Sequence, residues 1–278
     1  MSSILTNTGA MVALQTMRGI NKGMQQVQSE ISTGKSVGNA RDNAAVWAIS
    51  KTMESDVGGL KALGDSLALG KSTVGVARVA AETTVDLMKQ MQGLIVAAQE
   101  ENVDRDKIQA DLKGLQDQIE QVLNAAQFNG LNLVNGEEST GLSILSSLNR
   151  DNAGAVTTET IDIALADLDL LGDLDDALDW NVSTSTGATT ALEEFEDLLQ
   201  VAIGAAATFG TAEKRIDIQS EFIKNLSDAL TTGIGALVDA DMEEASARLQ
   251  ALQVQQQLAT QSLSIANQAP QNILALFR

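Results

Sequence analysis

Apolar residues recur along this chain at alternating steps of three and four over unusually long stretches. Leu60, Leu63, Leu67, Gly70, Val74, Ala77, Ala81, Thr84, Met88, Met91, Ile95 and Ala98 form one series, and Ile108, Leu112, Leu115, Ile119, Val122 and Ala126 a second. Phe195, Ala202, Phe209, Ile216, Ile223, Leu230 and Leu237 repeat every seven residues. Met242, Ala245, Leu249, Leu252, Gln256, Ala259, Leu263 and Ala266 return to the alternation, and Met17, Ile20, Met24, Val27 and Ile31 show it near the start. Such steps place one residue per turn on the same side of a helix, and heptads this long predict helices packed lengthwise. Gly70, Ala77, Ala81 and Ala202, small residues within the stripes, predict close helix approach. The chain has a single proline, Pro270, so little interrupts helices before it.

Between the stripes the pattern changes. Residues 100–107, EENVDRDK, are polar and predict a turn, with Asp104 or Asp106 capping the helix that follows. Phe128–Leu148 holds two Asn-Gly pairs and short apolar runs, which predict a hairpin or small sheet. Residues 149–190 are rich in Asp, Thr, Ser and Ala and include the alternation Thr160-Ile161-Asp162-Ile163, which predicts an irregular insert containing strands. Helix is expected to resume near Thr189 and run on to Asn267, with a break at Gly233-Ile234-Gly235. The expected fold is mainly α: a long antiparallel helical bundle or coiled coil built from both chain ends, with a β-hairpin and a small acidic, β-containing insert.

Charge follows the same division. The net charge is −19 over 278 residues, and residues 151–213 contribute −14 of it, with no Lys or Arg. The flanking parts are close to neutral and suited to packing against other chains, whereas the middle repels nucleic acid and favours solvent. There is no Cys and no His, which removes disulfides, thiolate metal sites and the usual neutral-pH general base. No run of 18 apolar residues is present to span a membrane, and Met1-Ser2-Ser3-Ile4 lacks the charged start of a cleaved signal peptide. The chain thus reads as cytosolic, or exported by a route without a cleaved signal.

Two motifs invite a ligand. Gly34-Lys35-Ser36 looks like the end of a phosphate-binding P-loop, but the required earlier glycine is Ser29, and the residues before it follow a helical stripe rather than a strand. The acidic run Asp167, Asp169, Asp173, Asp175, Asp176 and Asp179 invites calcium, but an EF-hand loop begun at Asp167 would have Leu171 and Leu178 where it needs oxygen ligands. Neither a nucleotide nor a metal cofactor is expected, and the acidic run reads as a solvated face. Trp47, between Val46 and Ala48, reads as a core anchor. Gln256 lies within an apolar stripe and reads either as a register device or as a residue facing a polar channel.

Three stretches, in order, resemble bacterial flagellin. Ser32-Thr33-Gly34-Lys35 followed by Ala40-Arg41-Asp42-Asn43-Ala44-Ala45-Val46-Trp47-Ala48-Ile49-Ser50 is similar to the family's helix end and the start of its next helix. Phe128–Gly136, FNGLNLVNG, resembles a second family motif, and Ala240–Arg278 resembles the flagellin C-terminus almost throughout. The likeness covers roughly residues 1–140 and 190–278 and is greatest to the short alphaproteobacterial kind.

The resemblance implies a structural subunit, not an enzyme, that self-assembles into the extracellular helical filament of swimming bacteria after export without a cleaved signal peptide. It implies an inner-core helix at 1–40, the first part of an outer-tube helical domain at 41–148, and a variable surface insert at 149–190. The outer-tube domain would resume at 191–235, and the C-terminal inner-core helix would occupy 236–278. Burial between subunits would involve Ile4, Met11, Leu14, Met17, Met24, Val27, Ile31, Leu249, Leu252, Leu263, Ile273, Leu274 and Phe277. Gly34, Gly38, Arg41 and Asp42 would form the joint between layers, and the acidic insert would face solvent. Implied partners are further copies of the chain, the export apparatus and its chaperone, and hook-associated junction and cap proteins, with neither nucleic acid nor membrane. The innate immune receptor for flagellin reads a segment that here is Met88–Ala97, with Gln90 and Gln92 at arginine positions and Gly93 at the glutamate, so recognition is expected to be weak or absent. A hook–filament junction protein shares the plan. An enzyme of a different class would need a carboxylate pocket around Asp167–Asp179.

Overall fold

The structure, a computed structural model, describes residues 7–136, 141–151, 154–163 and 180–276, without the side chains of 269–276. The described residues include five helices: α1 (Thr8–Thr33), α2 (Ala44–Ala97), α3 (Arg105–Ala125), α4 (Ser185–Val238) and α5 (Met242–Leu276). Among the described residues between α3 and α4 are four short strands: β1 (Gln127–Phe128), β2 (Leu131–Asn132), β3 (Leu142–Arg150) and β4 (Val156–Ile163). Helices α2 and α4 each run 54 residues, about 80 Å at the helical rise. By internal packing the chain divides into two compact units, Met1–Val57 with Asp228–Arg278, and Gly58–Ser227.

Helix ends are set by short polar side chains. The Asn7 carboxamide accepts from the Ala10 N–H at 3.0 Å to start α1, and the Asn43 side chain accepts from Val46 at 3.2 Å to start α2. Of the two caps that the sequence offers, Asp104 and Asp106, it is Asp104 that caps α3, through the Lys107 N–H. The turn before it is closed by Arg105, whose guanidinium donates to the carbonyls of Ala98 at 2.8 Å and Glu100 at 2.7 Å. These carbonyls belong to the turn just beyond the end of α2, where a cation is also favoured by the helix dipole.

Within Gly58–Ser227 the predicted stripes become the core. All twelve positions from Leu60 to Ala98 in the first series are buried. On α4, Phe195, Ala202, Phe209, Ile216 and Ile223 are also buried, whereas Leu230 is partly shielded and Leu237 is exposed. The close approach at Gly70 comes from a strand rather than a helix: a Cβ there would lie 2.5 Å from Ile144 of β3. Strands β1 and β2 form a tight hairpin whose turn residues, Asn129 and Gly130, both have positive φ, at 53° and 84°. That backbone is what an Asn-Gly pair favours. Strands β3 and β4 pair antiparallel with an irregularity between Leu145 and Ser147, and Ile161 and Ile163 are buried while Thr160 and Asp162 face solvent. Gln109 of α3 holds the chain ahead of α4, donating to the Trp180 carbonyl at 2.9 Å and accepting from the Val182 N–H at 2.7 Å.

Four expectations change. Helix α5 runs through Pro270 to Leu276 rather than ending at Asn267, because a proline removes one N–H from the ladder while the turns on either side can continue. Helix α4 begins at Ser185 rather than near Thr189, because Thr184 accepts from the Gly187 N–H at 3.1 Å and caps an earlier turn. Gly233 and Gly235 do not break α4, which runs to Val238. At Gly233 an added Cβ would meet Met53 at 3.3 Å, so the missing side chain accommodates a packed neighbour. The break falls at Asp239–Asp241, where Asp241 caps α5 by accepting from Glu243 and Glu244 at 2.9 and 3.1 Å. Trp47 is half-buried rather than a core anchor.

Candidate assembly surfaces

Helices α1 and α5 pack antiparallel. Asn7 donates to the Ala266 carbonyl at 2.8 Å, and further along α1 a Cβ on Gly23 would meet Leu252 at 3.6 Å. The shielded residues of α1 include Ala10, Ala13, Met17, Ile20, Met24, Val27 and Ile31, and those of α5 are Ala245, Leu249, Leu252, Gln256, Ala259, Leu263 and Ala266. Both sets follow the alternation of threes and fours that the sequence carries. Of the residues expected in the inner core, Met17, Met24, Val27, Ile31, Leu249, Leu252 and Leu263 line this seam. Met11 and Leu14 stand off it and are exposed. Ile273 and Leu274 lie on α5, but their side chains, like all of Ile4 and Phe277, fall outside the described residues.

A second apolar set, apart from Met11, is not marked by the stripes that the sequence carries. On α5, Val254, Leu258 and Ile265 point away from the seam and are 55%, 61% and 63% exposed; on α1, Val12 is 63% exposed and Met11 65%. Val254 and Leu258 are each displaced two residues from a seam position, about 200° around the helix, so a second heptad phase in the sequence encodes them. Beside them runs an apolar groove of about 420 Å³ between Gly9, Val12, Ala13, Thr16 and Ile20 of α1 and Gln255, Leu258, Ala259 and Ser262 of α5. Exposed apolar surface of this kind marks an interaction face.

At the other end of the seam two chain breaks are tied together. Gly34 adopts φ +69°, and its N–H closes α1 on the Glu30 carbonyl at 2.8 Å, a left-handed cap suited to glycine. The Val238 carbonyl then accepts from the backbone N–H groups of Ser36 (2.8 Å) and Val37 (3.3 Å) and from the Ser36 hydroxyl (3.2 Å). In return Ala240 donates to the Gly34 carbonyl at 2.9 Å. Backbone pairing of this sort leaves no side-chain pattern, so the sequence does not announce it. Asp42 orders the same loop by accepting from Gly38 and Asn39, each at 3.1 Å, while the Arg41 side chain is exposed. Lys35 lies 3.7 Å from Glu54. The hydrogen bond from Lys51, with the charges of Lys51 and Lys35, holds the Glu54 carboxyl below its ordinary value against a desolvation effect that raises it.

The acidic residues Asp167, Asp169, Asp173, Asp175, Asp176 and Asp179 lie outside the described residues. Among the described residues no three carboxylates gather to hold a metal ion, and no helix is long and apolar enough to cross a membrane. What the described surface offers is helix faces.

Residues 4–139 match the bacterial flagellin N-terminal helical region, and residues 193–277 match the bacterial flagellin C-terminal helical region. The chain belongs to the bacterial flagellin family. Flagellin C of Rhizobium meliloti is 38% identical with both chains fully covered, and a flagellin of Brucella melitensis is 40% identical, also with both fully covered. Flagellin FljM of Caulobacter vibrioides is 37% identical, covering all of this chain and 99% of that one. These relatives are alphaproteobacterial, in line with the short type named from the sequence. The fold resembles a putative flagellar hook-associated protein from Vibrio parahaemolyticus, with a TM-score of 0.55, 14% identity, 71% of this chain and all of the other covered. As a flagellin the chain is a structural subunit of the flagellar filament. Flagellins polymerise with themselves, associate with other flagellar proteins and form an extracellular filament.

Proposed function

We propose that this flagellin builds its filament by stacking the α1–α5 pair of one copy against those of its neighbours, with the α1–α5 seam closed inside each copy. The observation that carries this reading is the apolar set turned away from the seam, Met11, Val12, Val254, Leu258 and Ile265, which has no cover in a single chain. Each of these side chains is only partly exposed, so burying the remainder of each contributes about 1–2 kcal/mol, and a polymer repeats the gain at every subunit. Leu14 belongs to the same contact beside Met11, and Ile4, Ile273, Leu274 and Phe277 extend it toward the chain ends. Gly34, Gly38, Arg41 and Asp42 act as the joint that leads from the inner layer to the outer one, and the acidic insert is turned to solvent. Residues 1–40 and 236–278 then serve as inner-core segments, 41–148 and 191–235 as the outer-tube domain, and 149–190 as the surface insert.

The subunit leaves the cell through the flagellar export channel without a cleaved signal peptide, guided by an export chaperone, and its filament meets hook-associated junction and cap proteins at its two ends. It has no catalytic role. Recognition by the innate immune flagellin receptor is weak or absent: Gln90 and Gly93 are exposed where the family segment carries Arg and Glu, and Gln92 is engaged with Glu196 at 3.3 Å. The deciding experiment is electron microscopy of the purified chain, seeded at high salt, beside Leu258→Asp. Tubular filaments from the parent and none from the variant, with unchanged helical content at 58–227, are expected. Normal filaments from Leu258→Asp would refute the packing scheme.

A further inference from the structure

The α1–α5 seam is apolar at every shielded position from Ala10 to Val27 on α1, and from Ala245 to Ala266 on α5 apart from Gln256. A seam of this kind holds two helices together but discriminates poorly between registers, because sliding one helix by a heptad exchanges one apolar neighbour for another. Gln256 is the exception. It sits between Leu252 and Ala259 in the stripe, and its side-chain amide donates to the Asn21 Oδ1 across the seam at 2.8 Å. We propose that Asn21 and Gln256 are a positioning pair that sets the register of α1 against α5 in the assembled filament, a role that rests on the filament-core reading above.

Gln256 is half-buried in the stripe, while Asn21 at the edge of the seam is exposed and the hydrogen bond between them is open to solvent. The helices are antiparallel, so a one-heptad slip in either direction would bring Asn21 level with Leu249 or Leu263, side chains that offer no donor or acceptor. Either slip breaks this bond and takes Asn21 from the half-buried Gln256 carboxamide, and a shielded polar group that loses its partner is penalised. The backbone clasp between Gly34 and Ala240 fixes where the two helices diverge, but it holds only that end. Asn21 lies more than three turns along α1 from the clasp, and another side-chain tie between the helices, from Asn7 to the Ala266 carbonyl, lies near the opposite end. The pair therefore controls the long middle of the seam. This is the register reading of the two that the sequence leaves open for Gln256.

The chain carries its own reporter site. It has no cysteine, and an ideal Cβ on Gly9 would lie 3.8 Å from the Ala266 Cβ, the separation typical of a disulfide. Filaments of Gly9→Cys/Ala266→Cys, oxidised mildly and run on non-reducing gels, report the fraction of subunits in the native register. Adding Asn21→Leu/Gln256→Leu is expected to lower that fraction at least two-fold while filaments still form and their melting temperature stays level or rises. The exchanged pair Asn21→Gln/Gln256→Asn is expected to restore it. An unchanged cross-linked fraction overturns the proposal, and so does a fall in cross-linking matched by a fall in melting temperature, which would mark the pair as merely structural. Absence of filaments from the unaltered chain would instead overturn the filament reading, and this proposal with it.

Discussion

The two units of this flagellin bury their apolar residues to very different degrees. In Gly58–Ser227 the core includes Leu63, Leu67, Met88, Met91, Ile95, Phe195 and Phe209, each almost fully buried. In Met1–Val57 with Asp228–Arg278 the buried apolar residues among those described are Val27, Val238, Ala245 and Ala259. The second unit has stripes as regular as the first, so the contrast does not come from weaker patterning. It comes from how the helices are covered. This unit holds α1, α5, the start of α2 and the end of α4, and α1 and α5 shield one face of each other and leave the remainder in water, whereas Gly58–Ser227 supplies two long helical segments, α3 and two hairpins. Isolated helices are marginal in water, so the α1–α5 pair is expected to be ordered chiefly by its neighbours in the filament, and to exchange amide hydrogens fast in a verified monomer.

The largest effect that separates the units is expected from Leu263→Asp, or from deletion of 269–278. A carboxylate in the seam, or loss of the end of α5, should abolish polymerisation as seen by sedimentation and electron microscopy. The thermal unfolding of 58–227 should not move. Normal filaments would show that the seam does not govern assembly. Phe209→Ala is the converse test. Phe209 is fully buried, and its truncation should destabilise the monomer by about 3–5 kcal/mol, read by denaturant unfolding. If assembly were lost with monomer stability intact, the division of labour between the units would be wrong.

How much of this was legible in the sequence depends on which physical signal carried it. The α2 stripe from Leu60 to Ala98 was read residue for residue, because a long helix buried along one side leaves a period that nothing else mimics. The Asn129-Gly130 turn and the Ile161/Ile163 alternation were legible for the same reason: local backbone geometry selects those residues. The end of α4 was misplaced, because glycine inside a helix is ambiguous. It weakens the helix intrinsically, yet Gly233 is retained where Met53 approaches. The clasp between Gly34, Ser36 and Val238 was invisible, since carbonyls and N–H groups are the same at every residue. The outward set Val254, Leu258 and Ile265 was encoded but masked by the stronger stripe two residues away. Met11 and Leu14, expected to be buried between subunits, are exposed in the single chain, and apolar identity alone does not tell which face of α1 they take.

Gly34 tests the joint with a smaller expected change. Its φ of +69° is a conformation in which a Cβ costs about 1–2 kcal/mol, and nothing lies within 4 Å of where that Cβ would stand. Gly34→Ala should therefore act through backbone strain alone, loosening the α1 cap and the clasp on Val238. Faster amide exchange at Gly34, Ser36 and Ala240 in filaments is the expected readout. Gly34→Asn should recover much of the loss, because asparagine tolerates the left-handed region better than alanine. Equal effects of the two would show that the conformation is not what matters.

The smallest change should be a gain, and it concerns the better-packed unit. Thr84 occupies one position of the α2 stripe, fully buried, and its hydroxyl is the buried side-chain polar atom without a hydrogen-bond partner among the described residues. A buried hydroxyl left unpaired carries a desolvation cost of about 1–3 kcal/mol, while an apolar group of the same shape carries none. Valine has that shape and the same β-branching, so helix propensity barely changes. Thr84→Val should accordingly raise the stability of 58–227 by about 1 kcal/mol, or roughly 2–4 °C in melting temperature for a unit of this size. The substitution lies outside the α1–α5 seam and its clasp, so filament assembly should be unaffected. A destabilised monomer would show that the Thr84 hydroxyl has a partner in solution, and altered filaments would show that the core of 58–227 is coupled to assembly after all.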